Sequence, residues 1–158
     1  MTRYAERTEV ASDRSRAEIE RTLQRYGADG FIYGWERDRA MVAFRMKGRR
    51  IQFELPLPDK SAKEFWYTPE KKLRRTPEQA QTAWEQAGRQ RWRALALYVK
   101  ATLEAVEAGI VTMEDAFLAW TALPGGASVS VWLQPQIEAA YTTGNMPPLL
   151  PAPPEPTP

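Results

Sequence analysis

Between Phe31 and Leu57 the sequence alternates apolar and polar residues in three successive runs. That period of two restricts this part of the chain to a half-buried antiparallel sheet. Phe31, Tyr33 and Trp35 alternate in the first run, Ala40, Val42, Phe44 and Met46 in the second, and Ile51, Phe53, Leu55 and Leu57 in the third. Turns are expected near Glu36–Arg39 and Lys47–Arg49, where Gly48 supplies the positive φ of a tight hairpin. Pro56 and Pro58 end the third strand. One face of this meander requires a core. The other carries Arg45, Lys47, Arg50 and Gln52 and is mostly basic.

The cover for the apolar face is expected further along. Thr76-Pro77-Glu78-Gln79 has the form of a helix start, with an N-cap threonine, proline in the first turn and a capping-box glutamine. The helix runs over 77–108 and stops at Gly109, a length of about 45 Å. Trp84, Trp92, Leu95, Val99, Leu103 and Val106 lie near one stripe, and Glu85, Arg89, Arg93, Lys100, Glu104 and Glu107 lie largely opposite. The fold class is therefore α+β, a three-stranded antiparallel meander packed against a long helix. The expected core comprises Val42, Phe44, Ile51, Phe53, Leu55, Trp84, Leu95, Val99 and Leu103.

Shorter elements flank this centre. Residues 1–11 read as a polar arm, and Ser15-x-x-Glu18 as the capping box of a first helix ending at Gly27. Thr112-x-x-Asp115 opens a short helix, and a last one covers about 129–142, kinked or split at Pro135 and closed by Gly144. The segment 147–158 is rich in proline and reads as a flexible tail, leaving 1–146 as a single domain.

Much chemistry is excluded by residue type. The chain has no cysteine and no histidine, which removes thiolate catalysis, histidine-based triads and histidine- or cysteine-ligated zinc. No GxxxxGK[ST] or GxGxxG occurs, Gly27-Ala28-Asp29-Gly30 having neither spacing. Asp59 and Glu64, near the end of a strand beside Lys60 and Lys63, have the placement of some nuclease acids, but acids there also serve simply to solvate a loop. The expectation is a non-enzymatic protein without cofactor or metal. Met1-Thr2-Arg3-Tyr4-Ala5-Glu6 lacks the apolar core of a leader, and no apolar run reaches the roughly 20 residues of a membrane span, so a cytoplasmic location is expected.

The charge distribution points to a binding role. All 22 Lys and Arg fall within residues 1–100 against 14 acids, a balance of +8, while residues 101–158 carry six acids and no base. Either the basic half meets an anionic partner, or opposite ends attract within and between subunits. The loop after the meander adds Phe65-Trp66-Tyr67 and then Lys71, Lys72, Arg74 and Arg75. Rings beside clustered cations suit a single-stranded nucleic acid, with bases stacked on the rings and phosphates on the cations. The competing reading folds the rings back over the meander as a lid. Candidate phosphate contacts are Arg45, Lys47, Arg49, Arg50, Lys71, Lys72, Arg74 and Arg75, with Phe65, Trp66 and Tyr67 as stacking rings. Arg89, Arg91 and Arg93 extend the basic surface.

Several segments resemble a group of small, functionally unassigned proteins encoded by bacteriophages and prophages. They are Tyr4-Ala5-Glu6-Arg7-Thr8, Ser15-Arg16-Ala17-Glu18-Ile19-Glu20, Arg25-Tyr26-Gly27-Ala28, Gly48-Arg49-Arg50-Ile51 with Leu55-Pro56-Leu57-Pro58, and Arg91-Trp92-Arg93-Ala94-Leu95 with Glu104-Ala105-Val106-Glu107-Ala108-Gly109-Ile110. The resemblance supplies no binding residues of its own. It implies a bacterial host cytoplasm and one of two jobs: nucleic-acid handling in replication or recombination, or inhibition of a host system. A helix-backed sheet with a basic face is also similar in architecture to single-strand annealing and binding proteins. The expected partners are a single-stranded nucleic acid and further copies of the chain. The alternatives are an inhibitor or adaptor docking on a host protein, and a structural component of a virion.

Overall fold

The computed structural model describes residues 2–36 and 38–146, with side chains from Asp13 onward. The proline-rich tail lies outside the described residues. The elements run α1 (Thr2–Arg25), β1 (Gly30–Glu36), β2 (Arg39–Met46), β3 (Arg49–Pro56), α2 (Lys63–Trp66), α3 (Pro77–Glu107), α4 (Met113–Ala116), a 3-10 turn (Leu118–Trp120) and α5 (Val129–Thr143).

The alternation produces the meander it implies, in the order β1-β2-β3 with both pairs antiparallel. Phe31 sits opposite Phe44, which sits opposite Ile51, and Tyr33 opposite Val42, which sits opposite Phe53. The second hairpin turns on Lys47 (φ 50°) and Gly48 (φ 73°), both in the left-handed region that a two-residue turn of this type requires. Val42, Phe44, Met46, Ile51 and Phe53 are buried on one face.

That face is closed by α3 and α1. Trp92, Leu95, Ala96, Val99 and Leu103 of α3 join Ile19 and Leu23 of α1, with Met113 and Phe117 filling the end, in one cluster. Phe53 is central, with Phe117, Tyr98 and Trp120 rings at centroid distances of 6.3, 5.9 and 5.0 Å. The start of α3 is capped as its sequence indicates. Thr76 Oγ1 accepts from Gln79 N–H, and the Thr76 N–H donates to Gln79 Oε1. Gly27 and Gly109, at φ 98° and 73°, end α1 and α3, and the amides of Ala28 and Ile110 reach back to Leu23 and Ala105 carbonyls.

Four expectations are corrected. The first helix is not preceded by an arm. It runs unbroken from Thr2, and Ser15 lies inside it. Residues 2–14 contain no glycine or proline and several strong helix formers, so nothing forces the backbone out of the helix ahead of Ser15. An Asp13–Arg16 ion pair one turn apart spans that point. Glu85 is buried rather than on the solvent side of α3, its carboxylate accepting from Gln81 Nε2 at 2.8 Å. Trp84 and Leu55 are half-buried rather than central. Trp84 lies at the margin because its indole N–H donates to the Pro58 carbonyl, 2.6 Å away. Finally, α5 continues through Pro135, with Ser128 capping its start and Gly144 (φ 72°) its end. Its missing N–H is a loss the helix absorbs, at a cost of about 3 kcal/mol in a helix interior.

The ring cluster around Phe53 makes it the residue on which the sheet–helix contact turns. Phe53→Ala is expected to lower stability by about 3–5 kcal/mol on chemical denaturation. A loss below about 1 kcal/mol would show that the meander face is not the core.

Candidate nucleic-acid interface

The segment after β3 is ordered by backbone bonds. Asp59 opens it, its carboxylate accepting from the Ser61 N–H at 2.9 Å and the Ser61 hydroxyl at 2.8 Å. These two donors hold the Asp59 carboxyl below its ordinary value, the backbone bond contributing most. A one-turn helix, α2, follows and packs against α3. Residues 66–75 then fold back on themselves. Arg75 N–H donates to the Trp66 carbonyl, Tyr67 bridges Arg74, and Thr68 N–H donates to the Leu73 carbonyl. Lys72 sits at the tip with φ 49°. The expected irregular loop is a miniature hairpin.

This fold sends three adjacent rings three ways. Phe65 is 5% exposed and turned into the protein, so it is withdrawn from the expected stacking set. Trp66 is half-buried and lines a smaller pocket with Pro77, Ala80 and Gln81, and its indole N–H donates to the Lys60 carbonyl at 3.3 Å. Tyr67 is 41% exposed and faces a different space. Phe65 and Trp66 therefore turn inward on a segment that packs against α3 rather than over the meander, and Tyr67 is the ring left exposed.

Tyr67 lines an open groove of about 1330 Å³ between the miniature hairpin and α3. One wall is Lys63, Thr68, Lys72 and Arg75. The other is a stripe along α3 formed by Gln79, Thr82, Gln86 and Gln90, with Ala83 and Ala87 between them. At 100° per residue this stripe lies opposite the Trp92, Leu95, Val99 and Leu103 face that meets the sheet. Among the described residues, the amides of Gln86 and Gln90 make no hydrogen bond and remain able to donate and accept. Arg75 is partly committed, since its Nη1 donates to the carbonyls of Glu64 at 3.0 Å and Phe65 at 3.2 Å. Glu64 and Glu78 are the acids of the lining, against Lys63, Lys72 and Arg75.

The remaining candidates are gathered elsewhere. Arg45, Lys47, Arg49 and Arg50 surround the β2–β3 turn, at the far end of β3 from the groove. The distance along the strand is about 23 Å. All four are exposed, but Arg45 pairs with Asp29 at 2.7 Å and Arg50 Nη2 donates to Gln52 Oε1 at 3.3 Å. Arg49 has the register of the inward face and sits at its rim opposite Met46. The outer face is also less basic toward its other end, where Glu54 meets Arg39 at 3.5 Å. Arg91 is tied to the end of β3 by a bond to the Pro56 carbonyl. The glutamine stripe was legible only as a spacing of polar residues along α3, with nothing in the sequence to set it apart from an ordinary solvated helix face.

Asp59 is engaged by Ser61, and no cluster of three metal-ligating side chains occurs among the described residues. No helix among the described residues is long and apolar enough to cross a membrane. Compared with known proteins, the chain matches no family model, no curated protein and no solved structure.

The Asp59 turn gives a pH test. A carboxyl held below its unfolded value stabilises the turn above that value, and the contribution is lost as pH falls through the folded pKa. In Ser61→Ala the hydroxyl donor is removed, so Asp59 should titrate at higher pH than in the wild type by carboxyl-carbon NMR. An unchanged midpoint would assign the depression to the backbone N–H of residue 61 alone.

Proposed function

We propose that the protein is a non-enzymatic single-stranded nucleic-acid binder whose strand lies in the groove between the miniature hairpin and α3. The observation that carries this reading is the composition of the groove. Tyr67 offers an exposed ring, Lys63 and Lys72 stand beside it, and unpaired glutamine amides line the facing wall. Stacking takes any base, cations take phosphates, and amides take base edges or sugar hydroxyls without a charge preference. A duplex fits this description less well, because its bases are stacked on each other and closed to Tyr67.

The Arg45, Lys47, Arg49 and Arg50 group serves the same ligand as a second contact. A strand leaving the groove toward it would run at least the length of β3, about 23 Å. Lys71 and Arg74, exposed on the miniature hairpin that forms one wall, add cations beside the groove. Handling of phage or mobile-element DNA, including annealing during recombination, is the role in which such a binder fits the resemblance seen in the sequence.

A second reading has its own observation. The helix α5 contains Glu138 as its one charged residue and exposes Val131, Trp132 and Tyr141, the last at 87%. A helix with a single charge and large apolar side chains exposed among the described residues favours a protein partner, such as a host complex.

Oligonucleotide anisotropy titrations at several salt concentrations separate these readings. Tyr67→Ala should weaken binding by about 1–3 kcal/mol with little change in salt slope. Lys63→Ala with Lys72→Ala should flatten the log–log slope by about 0.7 for each phosphate that is no longer neutralised. Absence of binding at low salt would reject the nucleic-acid reading and leave the protein-partner one. Binding that survives Tyr67→Ala but falls with Arg49→Ala and Arg50→Ala would move the site to the β2–β3 turn.

A further inference from the structure

β1 is an edge strand, and among the described residues its edge is open. The sheet order is β1-β2-β3, and every described backbone pairing of β1 is with β2. The opposite edge is partly occupied, since Ile51 bridges Thr121 and the Ala122 N–H donates to the Arg50 carbonyl at 2.8 Å. Natural proteins blunt open edges with lysine, proline or a bulge. The run Gly30-Phe31-Ile32-Tyr33-Gly34-Trp35 has neither lysine nor proline. Ile32 is 54% exposed and Trp35 72%.

The register identifies which peptide groups face outward. Met46 and Arg49 close the two-residue turn of the second hairpin and so form a hydrogen-bonded pair. Alternation along β2 then directs the backbone of its even-numbered residues to β3 and of its odd-numbered residues to β1. Glu36, Gly34 and Ile32, opposite Arg39, Met41 and Ala43, bond inward to β2. Phe31, Tyr33 and Trp35 are left with N–H and C=O groups pointing out of the sheet.

This arrangement is self-complementary. We propose that two copies of the chain pair β1 against β1 antiparallel, about a two-fold axis through Tyr33, and join their sheets into one. Tyr33 then faces Tyr33 of the second copy, and Phe31 faces Trp35 in both directions, each pair exchanging both of its backbone bonds. The exposed Trp35 ring meets an aromatic neighbour on the inward face. On the outward face Ile32 falls opposite Gly34, a large residue against an empty position. Nothing lies within 4 Å of a Cβ built on Gly34.

Charge agrees with the same register. Glu36 of the second copy falls opposite Gly30, and the Arg45 guanidinium already leans over Gly30, its carbon 3.9 Å from the position of a Cβ there. The carboxylate therefore arrives beside an arginine, with no side chain between them. A register shifted by two residues in either direction forfeits one aromatic pair and this ion pair. The dimer does not rest on the nucleic-acid reading, because it uses the strand edge and none of the groove's lining residues, Arg45 being the one candidate contact of the β2–β3 turn that it also engages.

Sedimentation equilibrium of the full chain without nucleic acid is the first test, and a dimer is expected. Trp35→Pro removes an outward N–H and an exposed ring, and should weaken the dimer at least tenfold while leaving far-UV circular dichroism unchanged. The register is read by disulfide formation, which is clean because the chain has no cysteine. A mixture of Ile32→Cys and Gly34→Cys chains should cross-link on oxidation, since these positions face each other. Each variant alone should not, since its own copies are offset by two residues, a separation of about 7 Å or more. A monomer at all concentrations would overturn the proposal. So would a dimer that survives Trp35→Pro, or cross-linking of either variant alone as efficient as in the mixture. Should Trp35→Pro not fold, the cross-linking pattern decides.

Discussion

The burial of one face of a three-stranded meander governs this structure. Three strands alone do not enclose anything, and the row Val42, Phe44, Ile51 and Phe53 must be covered or left in water. Burying one such side chain contributes about 1.5–3 kcal/mol, and α3 is the element long enough to cover the whole row. Its Trp92, Leu95, Val99 and Leu103 face is consumed by that task. The opposite face is consequently released, and it is where the groove is built. Core and candidate site are thus two sides of the same helix.

The miniature hairpin at 66–75 completes the groove because it is anchored at both ends. Phe65 is held in the interior, Trp66 is bonded to the Lys60 carbonyl, and the Arg75 side chain clasps the carbonyls of Glu64 and Phe65. Tyr67 and Lys72 stand on a frame already closed by its own bonds, so presenting them to a ligand demands little further ordering. The same economy does not extend to the β2–β3 turn. There Arg45 is shared with Asp29, and Lys47, Arg49 and Arg50 stand exposed around a two-residue loop.

The parts legible in the sequence are those set by local periodicity and local caps. The alternation from Phe31 to Leu57 specified strands, register face and turns, because a slip by one residue would expose every apolar side chain. Thr76-Pro77-Glu78-Gln79 marked the start of α3 to the residue, through bonds made entirely within four positions. The divergence of Phe65, Trp66 and Tyr67 was not legible, because it depends on where α3 passes rather than on the loop's own residues. The burial of Glu85 follows from the same cause: a charged residue at a helical position gives no sign that Gln81 satisfies it. The first helix extended past Ser15 because a capping sequence acts only where the chain leaves the helix.

The outer margins of the molecule carry its unspent surface. The open edge of β1 and the uncovered α5 are both apolar, and both lie away from the groove's lining residues. The proposed dimer and the proposed groove therefore draw on different side chains, Arg45 at the β2–β3 turn being the one residue that both proposals name.

The central claim is that one helix serves the core on one face and a ligand on the other. Hydrogen exchange read by mass spectrometry, with and without an unstructured oligonucleotide, tests it most directly. The account predicts added protection in residues 63–75 and in the 79–90 turns of α3, with the strands of the meander unchanged away from the β2–β3 turn. Protection confined to the β2–β3 turn, with 63–90 unaltered by bound oligonucleotide, would contradict it.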